Sequence, residues 1–126
     1  PEQNRPVQVI VAILTDGLEN ASQKYTWKQV ADLIKQQTVQ YQWTFLFLGA
    51  NQDAIATAAQ LRIAAANSAS YVADASGSRA SHRTLSRKVR SMRHAAMGTA
   101  TLQEEADAAA SMSELVQEED RKERSE

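Results

Sequence analysis

Three carboxylates and two neutral polar side chains fall where an open α/β sheet presents groups to a ligand. Thr15, Asp16 and Glu19 follow one apolar run, and Asn51 and Asp53 follow another. Ligands of such sheets bind in the crevice beyond the carboxyl ends of parallel strands, so these five residues form a candidate ligand loop. Asp16 could offer an oxygen to a hard cation. Magnesium, however, asks for near-octahedral oxygen coordination, and one loop carboxylate with a threonine is too few. Asp16 is therefore read as part of an incomplete metal site, and no cofactor is expected. The structural reading of the same residues is that Asp16-Gly17 is an ordinary turn pair and that Asp53 is a favourable charge in the first turn of a helix.

A second constellation is basic. Arg79, Arg83, Arg87, Lys88, Arg90 and Arg93 lie within fifteen residues, and at helical spacing Arg79, Arg83, Arg87 and Arg90 share a face that could neutralise several phosphates. Arg83, Arg87 and Arg90 are thus candidate nucleic-acid contacts. The next segment carries Glu104, Glu105, Asp107, Glu114, Glu118 and Glu119, so pairing between two helices of opposite charge is the favoured expectation. His82 and His94 have no carboxylate or second histidine at metal-ligand spacing and are expected on the surface. No serine sits in a Gly-x-Ser-x-Gly elbow, and Gly49-Ala50-Asn51 is too poor in glycine for a phosphate loop. No enzyme assembles from these residues.

The elements that must hold these groups belong to a chain of 126 residues, near the size of one domain. The 43% apolar content leans on alanine, which buries little area, so the core is expected to be thin. A net charge of -1 excludes whole-molecule attraction to polyanions. The absence of cysteine excludes disulfides and thiolate chemistry and suits a reducing, cytoplasmic setting. The longest apolar run, Val9 to Leu14, is far short of the roughly 20 residues of a membrane span, so no membrane partner is expected.

Val7 to Leu14 is β-branched and nearly continuous in apolarity, which predicts a strand buried on both faces. Thr26 and Gln29 form a capping box for a helix carrying Trp27, Val30, Leu33 and Ile34, fading near Thr38. Trp43 to Leu48 predicts a central strand, stopped by Gly49. Asn51 caps a helix that ends near Leu61, and a weak edge strand follows around Ser70 to Ala73. Ala75-Ser76-Gly77-Ser78 reads as a turn or short linker. Beyond it, Leu85, Val89, Met92 and Ala96 mark a third helix that Gly98 can end in a left-handed conformation. Thr101 and Glu104 box a fourth helix with Leu102, Ala106, Ala109, Met112 and Val116 on one stripe. This ordering predicts an α/β core with a parallel sheet of about three strands over 1–98, an amphipathic helix over 99–117, and a charged tail over 118–126 that frays.

The segment Val11-Ala12-Ile13-Leu14-Thr15-Asp16-Gly17-Leu18-Glu19-Asn20 resembles the strand and Thr-Asp-Gly turn of von Willebrand factor A (VWA) domains. Leu46-Phe47-Leu48-Gly49-Ala50 resembles the next strand of that family, particularly of its bacterial and phage members. The resemblance covers about residues 7–93 and implies the second half of a three-layer, Rossmann-like fold. It carries a metal-binding role to Asp16 alone. The aspartate-x-serine-x-serine loop of the family belongs to the half that precedes this strand, and only six residues come before it here. The resemblance implies a protein-interaction module, with a metal-dependent binding domain as a further alternative.

In a complete domain of this kind the first strand has neighbours on both sides, and here one neighbour is missing. An uncharged, apolar edge strand invites pairing with another chain. The expectation is a homodimer joined antiparallel through Val7, Val9, Val11 and Ile13 about a two-fold axis, extending the sheet to six strands. The alternative is a monomer whose C-terminal helix covers the edge.

Overall fold

The computed structural model describes residues 8–15, 27–50 and 54–125. Its elements are β1 (Ile10–Thr15), α1 (Trp27–Tyr41), β2 (Thr44–Gly49), α2 (Ala54–Gln60), β3 (Ser68–Ser70), α3 (Ala75–Met97), α4 (Leu102–Ala109) and α5 (Met112–Arg124), with a 3-10 turn at Ala65–Asn67 before β3. The three strands are parallel in the order β1-β2-β3. The register sets Ile10 beside Thr44 and Leu14 beside Leu48, and Phe47 beside Ser68. This is the α/β class read from the sequence, with a three-stranded sheet between two helical layers.

Alternation along β2 builds both layers, because successive side chains of a strand point to opposite faces. Phe45 and Phe47 join Ile34 of α1 and Ala54 and Ala58 of α2 in one core, with Val30, Leu61, Ile63 and Ile13 around them. Leu46 and Leu48 join Tyr71, Met112 and Val116 in the other, against which Leu85, Val89 and Met92 of α3 and Ile10 of β1 are packed. α1 and α2 therefore cover one face and α3 and α5 the other.

β1 departs from the expected burial on both faces. Ala12 is exposed and Leu14 retains 37% of its accessibility. Both stand on the α3/α5 side, where the helices lie over β2 and β3 and reach β1 only at Ile10. β3 also forms earlier than its composition suggested, over Ser68–Ser70, and its last ladder bond runs from Tyr71 N to Gly49 O at 2.9 Å.

The residues read as a linker form the first turn of α3. Asp74 caps that turn by accepting from Gly77 N at 2.7 Å. A β-carbon on Gly77 would collide with the carbonyl oxygen of Val72, so the glycine serves close packing rather than flexibility. The far end of α3 behaves as expected, closed by Gly98 at φ 76°.

The C-terminal region corrects the expected boundaries. The stripe from Leu102 to Val116 is broken at Ala110, and a second capping box, Ser111 with Glu114, opens α5. The residues expected to fray from 118 onward continue this helix to Arg124. They hold because Met112, Leu115 and Val116 anchor the helix in the core and Glu119 is itself buried. Glu123 and Arg124 are also tied to α3 and its cap through Arg79, Arg83 and Asp74.

Candidate functional site

The open side of β1 is decided by backbone direction. Thr44 N donates to Val9 O at 2.9 Å and Ala50 N to Thr15 O at 3.1 Å. Backbone groups of successive strand residues point to alternate sides, so the odd-numbered residues Val9, Val11, Ile13 and Thr15 turn toward β2. Ile10, Ala12 and Leu14 consequently present N–H and C=O groups to the opposite side, where no strand pairs with β1 among the described residues. Of the dimer contacts expected from sequence, Val9, Val11 and Ile13 are half-buried and spend their backbone groups on β2. Val7 lies outside the described residues. The alternative, a C-terminal helix covering this edge, is not seen among the described residues, since α5 packs on α3 and β3.

At the carboxyl ends of the strands, the Tyr71 hydroxyl donates to Thr15 O at 3.1 Å, bracing β1 against the end of β3. Beside it lies a cleft of about 560 Å³, lined by Ala50, Tyr71, Val72, Val116 and Asp120 among others. Asp120 Oδ2 accepts from Arg124 Nε at 2.8 Å, while Oδ1 is buried with no hydrogen-bond partner among the described residues. Of the candidate ligand loop, Thr15 closes this end of the sheet. Asp16, Glu19, Asn51 and Asp53 lie outside the described residues. Among the described residues no three His, Asp or Glu side chains converge on a possible metal position.

The basic face of α3 is engaged by α4 and α5. Arg87 donates from Nε to Asp107 Oδ2 at 2.9 Å and from Nη2 to Asp107 Oδ1 at 2.8 Å, and Nη1 reaches Glu119 Oε2 at 3.0 Å. Glu118 Oε1 is a further partner at 2.9 Å. These carboxylates raise the pKa of Arg87, and the guanidinium in turn holds Asp107 below the ordinary aspartate range. Arg79 and Arg83 share Glu123, at 2.8 and 2.7 Å, and the Arg79 hydrogen bond lowers the pKa of that carboxyl. Arg90 and Arg93 are exposed and make no ion pair among the described residues.

Lys88 was counted with this basic face, and the structure buries it. It keeps 3% of its accessibility and donates to the carbonyl oxygens of Asp107, Ala108 and Ala110 at 3.2, 2.7 and 2.6 Å. It thereby caps the end of α4, where Asp107 O also accepts from Ala110 N at 3.2 Å. Burial lowers its pKa. His94, expected as solvated surface, has Nδ1 2.7 Å from Glu104 Oε2, across the α3–α4 hairpin. Glu104 also accepts from Thr101 N, and this bond, followed by that to His94, lowers its pKa.

The described helices include none long and apolar enough to cross a membrane. No protein-family model, curated protein or solved structure matches the chain.

Proposed function

We propose that this chain is a VWA-like half-domain of the bacterial and phage kind, acting in the cytoplasm as a non-enzymatic protein-interaction module that assembles as a homodimer through β1. The observation that carries the reading is the outer edge of β1. Three successive outward-facing residues, Ile10, Ala12 and Leu14, are uncharged, apolar and unpaired among the described residues. Natural sheets blunt such an edge with charge, proline, a bulge or a covering element; Ile10–Thr15 contains no charge or proline, and no strand pairs with its outer edge among the described residues. A second chain supplies the missing partner groups at no cost in buried charge.

Light scattering tests the reading. The expected mass at micromolar concentration is twice the 13.9 kDa of one chain. Ala12→Lys, which places a charge on the exposed edge without touching the β1–β2 ladder, is expected to return it to one chain. A wild-type monomer at these concentrations overturns the proposal.

A second reading, nucleic-acid binding through α3, draws support from Arg90 and Arg93, which are exposed and make no ion pair among the described residues. It is weakened by the engagement of Arg79, Arg83 and Arg87 with Glu123, Asp107, Glu118 and Glu119. Salt-sensitive binding to duplex DNA that disappears in Arg90→Glu/Arg93→Glu would establish it.

A further inference from the structure

We propose that two copies pair about a two-fold axis at Ala12, in the one register that opposes Ile10 to the partner's Leu14. This rests on the homodimer reading above and adds the residue-by-residue geometry of its interface. The direction of the β1 backbone limits the choices, because only even-numbered residues carry outward N–H and C=O groups. An antiparallel pair must therefore match even residues with even residues, and neighbouring registers differ by steps of two.

Among these registers, the one centred on Ala12 uses the outward groups of β1 completely. Ile10 meets the partner's Leu14, Ala12 meets the partner's Ala12, and Leu14 meets the partner's Ile10, each as a doubly hydrogen-bonded pair. The smallest of the three outward-facing residues then stands on the axis, opposite its own copy. Leu14, 37% accessible beyond the reach of α3 and α5, gains a large apolar neighbour on the same face. On the opposite face Val11 meets the partner's Ile13 as a non-hydrogen-bonded pair, with side chains closer still.

The adjacent registers are worse matched. A slip of two residues in one direction opposes Leu14 to the partner's Gln8, a polar side chain outside β1, and in the other direction it carries Ile10 past Thr15, where β1 ends, and leaves it unmatched. The alternation large, small, large over Ile10, Ala12 and Leu14 makes the strand complementary to its own inverted copy, so the occupant of this edge is a second copy of the chain.

Cysteine cross-linking in this cysteine-free protein reads the register directly. Val11→Cys and Ile13→Cys chains, mixed and mildly oxidised, are expected to form a covalent dimer, since non-hydrogen-bonded pairs lie about 4.5 Å apart at Cα, within disulfide reach. Each variant alone is expected to stay largely uncross-linked. Efficient cross-linking of Val11→Cys alone, or of Ile13→Cys alone, identifies a slipped register and overturns this inference while leaving the homodimer standing. Hydrogen exchange on the wild-type chain is a second reading that needs no variant. The amides of Ile10, Ala12 and Leu14 are expected to slow together as concentration rises. Self-association without their protection removes pairing through β1, and this register with it, while a chain that stays monomeric removes the homodimer itself.

Discussion

Arg87 holds Asp107 by two parallel hydrogen bonds, 2.9 Å from Nε to Oδ2 and 2.8 Å from Nη2 to Oδ1, and so fixes α4 against α3. The same guanidinium reaches Glu118 and Glu119 of α5. One side chain thus ties three helices, and its three carboxylate partners neutralise part of the basic cluster on α3. Arg87→Met removes the cation and leaves the buried Asp107 with only Gln103 and Glu119 with only Lys122 as side-chain partners, which costs about 3 kcal/mol. Arg87→Lys keeps the charge and loses the planar fork, so it is expected to recover only part of that loss. Urea unfolding midpoints of the two variants measure both effects.

Lys88 is the neighbour of Arg87 in sequence and differs from it in role. Its ammonium group fills the end of α4 by donating to three carbonyl oxygens. Lys88→Met is expected to destabilise the chain by about 2 kcal/mol, because charged donors to buried acceptors are withdrawn and only apolar volume is restored. Amide exchange should quicken first at residues 107–112. An unchanged unfolding midpoint would show that α4 ends without need of this contact.

The hydrogen bonds of Arg87 lower the pKa of Asp107, and those of Arg79 and Arg124 lower Glu123 and Asp74. A carboxyl whose pKa is lower in the folded state than in the unfolded chain binds its proton more readily when unfolded. The stability it contributes is complete above the unfolded value, about 4, and declines as pH falls through the folded value. The melting temperature is therefore expected to be flat from pH 7 to 5 and to drop steeply below pH 4. Asp107→Asn should be less stable at pH 7 and show a shallower acid decline. An equal decline in the variant would remove Asp107 from the cause.

The two glycines at the ends of α3 act by different means. Gly77→Ala drives a β-carbon into the backbone of Val72, a contact that no rotamer can relieve, and is expected to cost more than the roughly 1–3 kcal/mol of ordinary overpacking. Gly98→Ala meets no atom within 4 Å and bears only the left-handed conformation at φ 76°, worth about 1 kcal/mol. Thermal unfolding that ranked the two variants in the reverse order would contradict the packing seen at Val72.

Much of this architecture is readable from local pattern. Phe45 and Phe47 against Leu46 and Leu48 announce a strand with two apolar faces, Gly98 marks a helix end, and Thr101 with Glu104 marks a start. Ser111 with Glu114 bears the same signature, but the apolar spacing from Ala109 through Met112 to Val116 continues across the break and conceals it. Gly77 has the composition of a linker, and its collision with Val72 exists only once the chain has folded back. The role of Lys88 depends on where α4 stops, nineteen or more residues away. The edge position of β1 follows from its place as the first strand of a sequentially ordered sheet. Which of its residues face outward depends on its hydrogen bonds to β2, information that the strand's own sequence lacks.

Sedimentation velocity of the wild-type chain over a range of micromolar concentrations tests self-assembly through β1 most directly. The account predicts a species of twice 13.9 kDa that Ala12→Lys converts to a single chain of unaltered circular dichroism. A wild-type chain sedimenting as one 13.9 kDa unit throughout that range would contradict it.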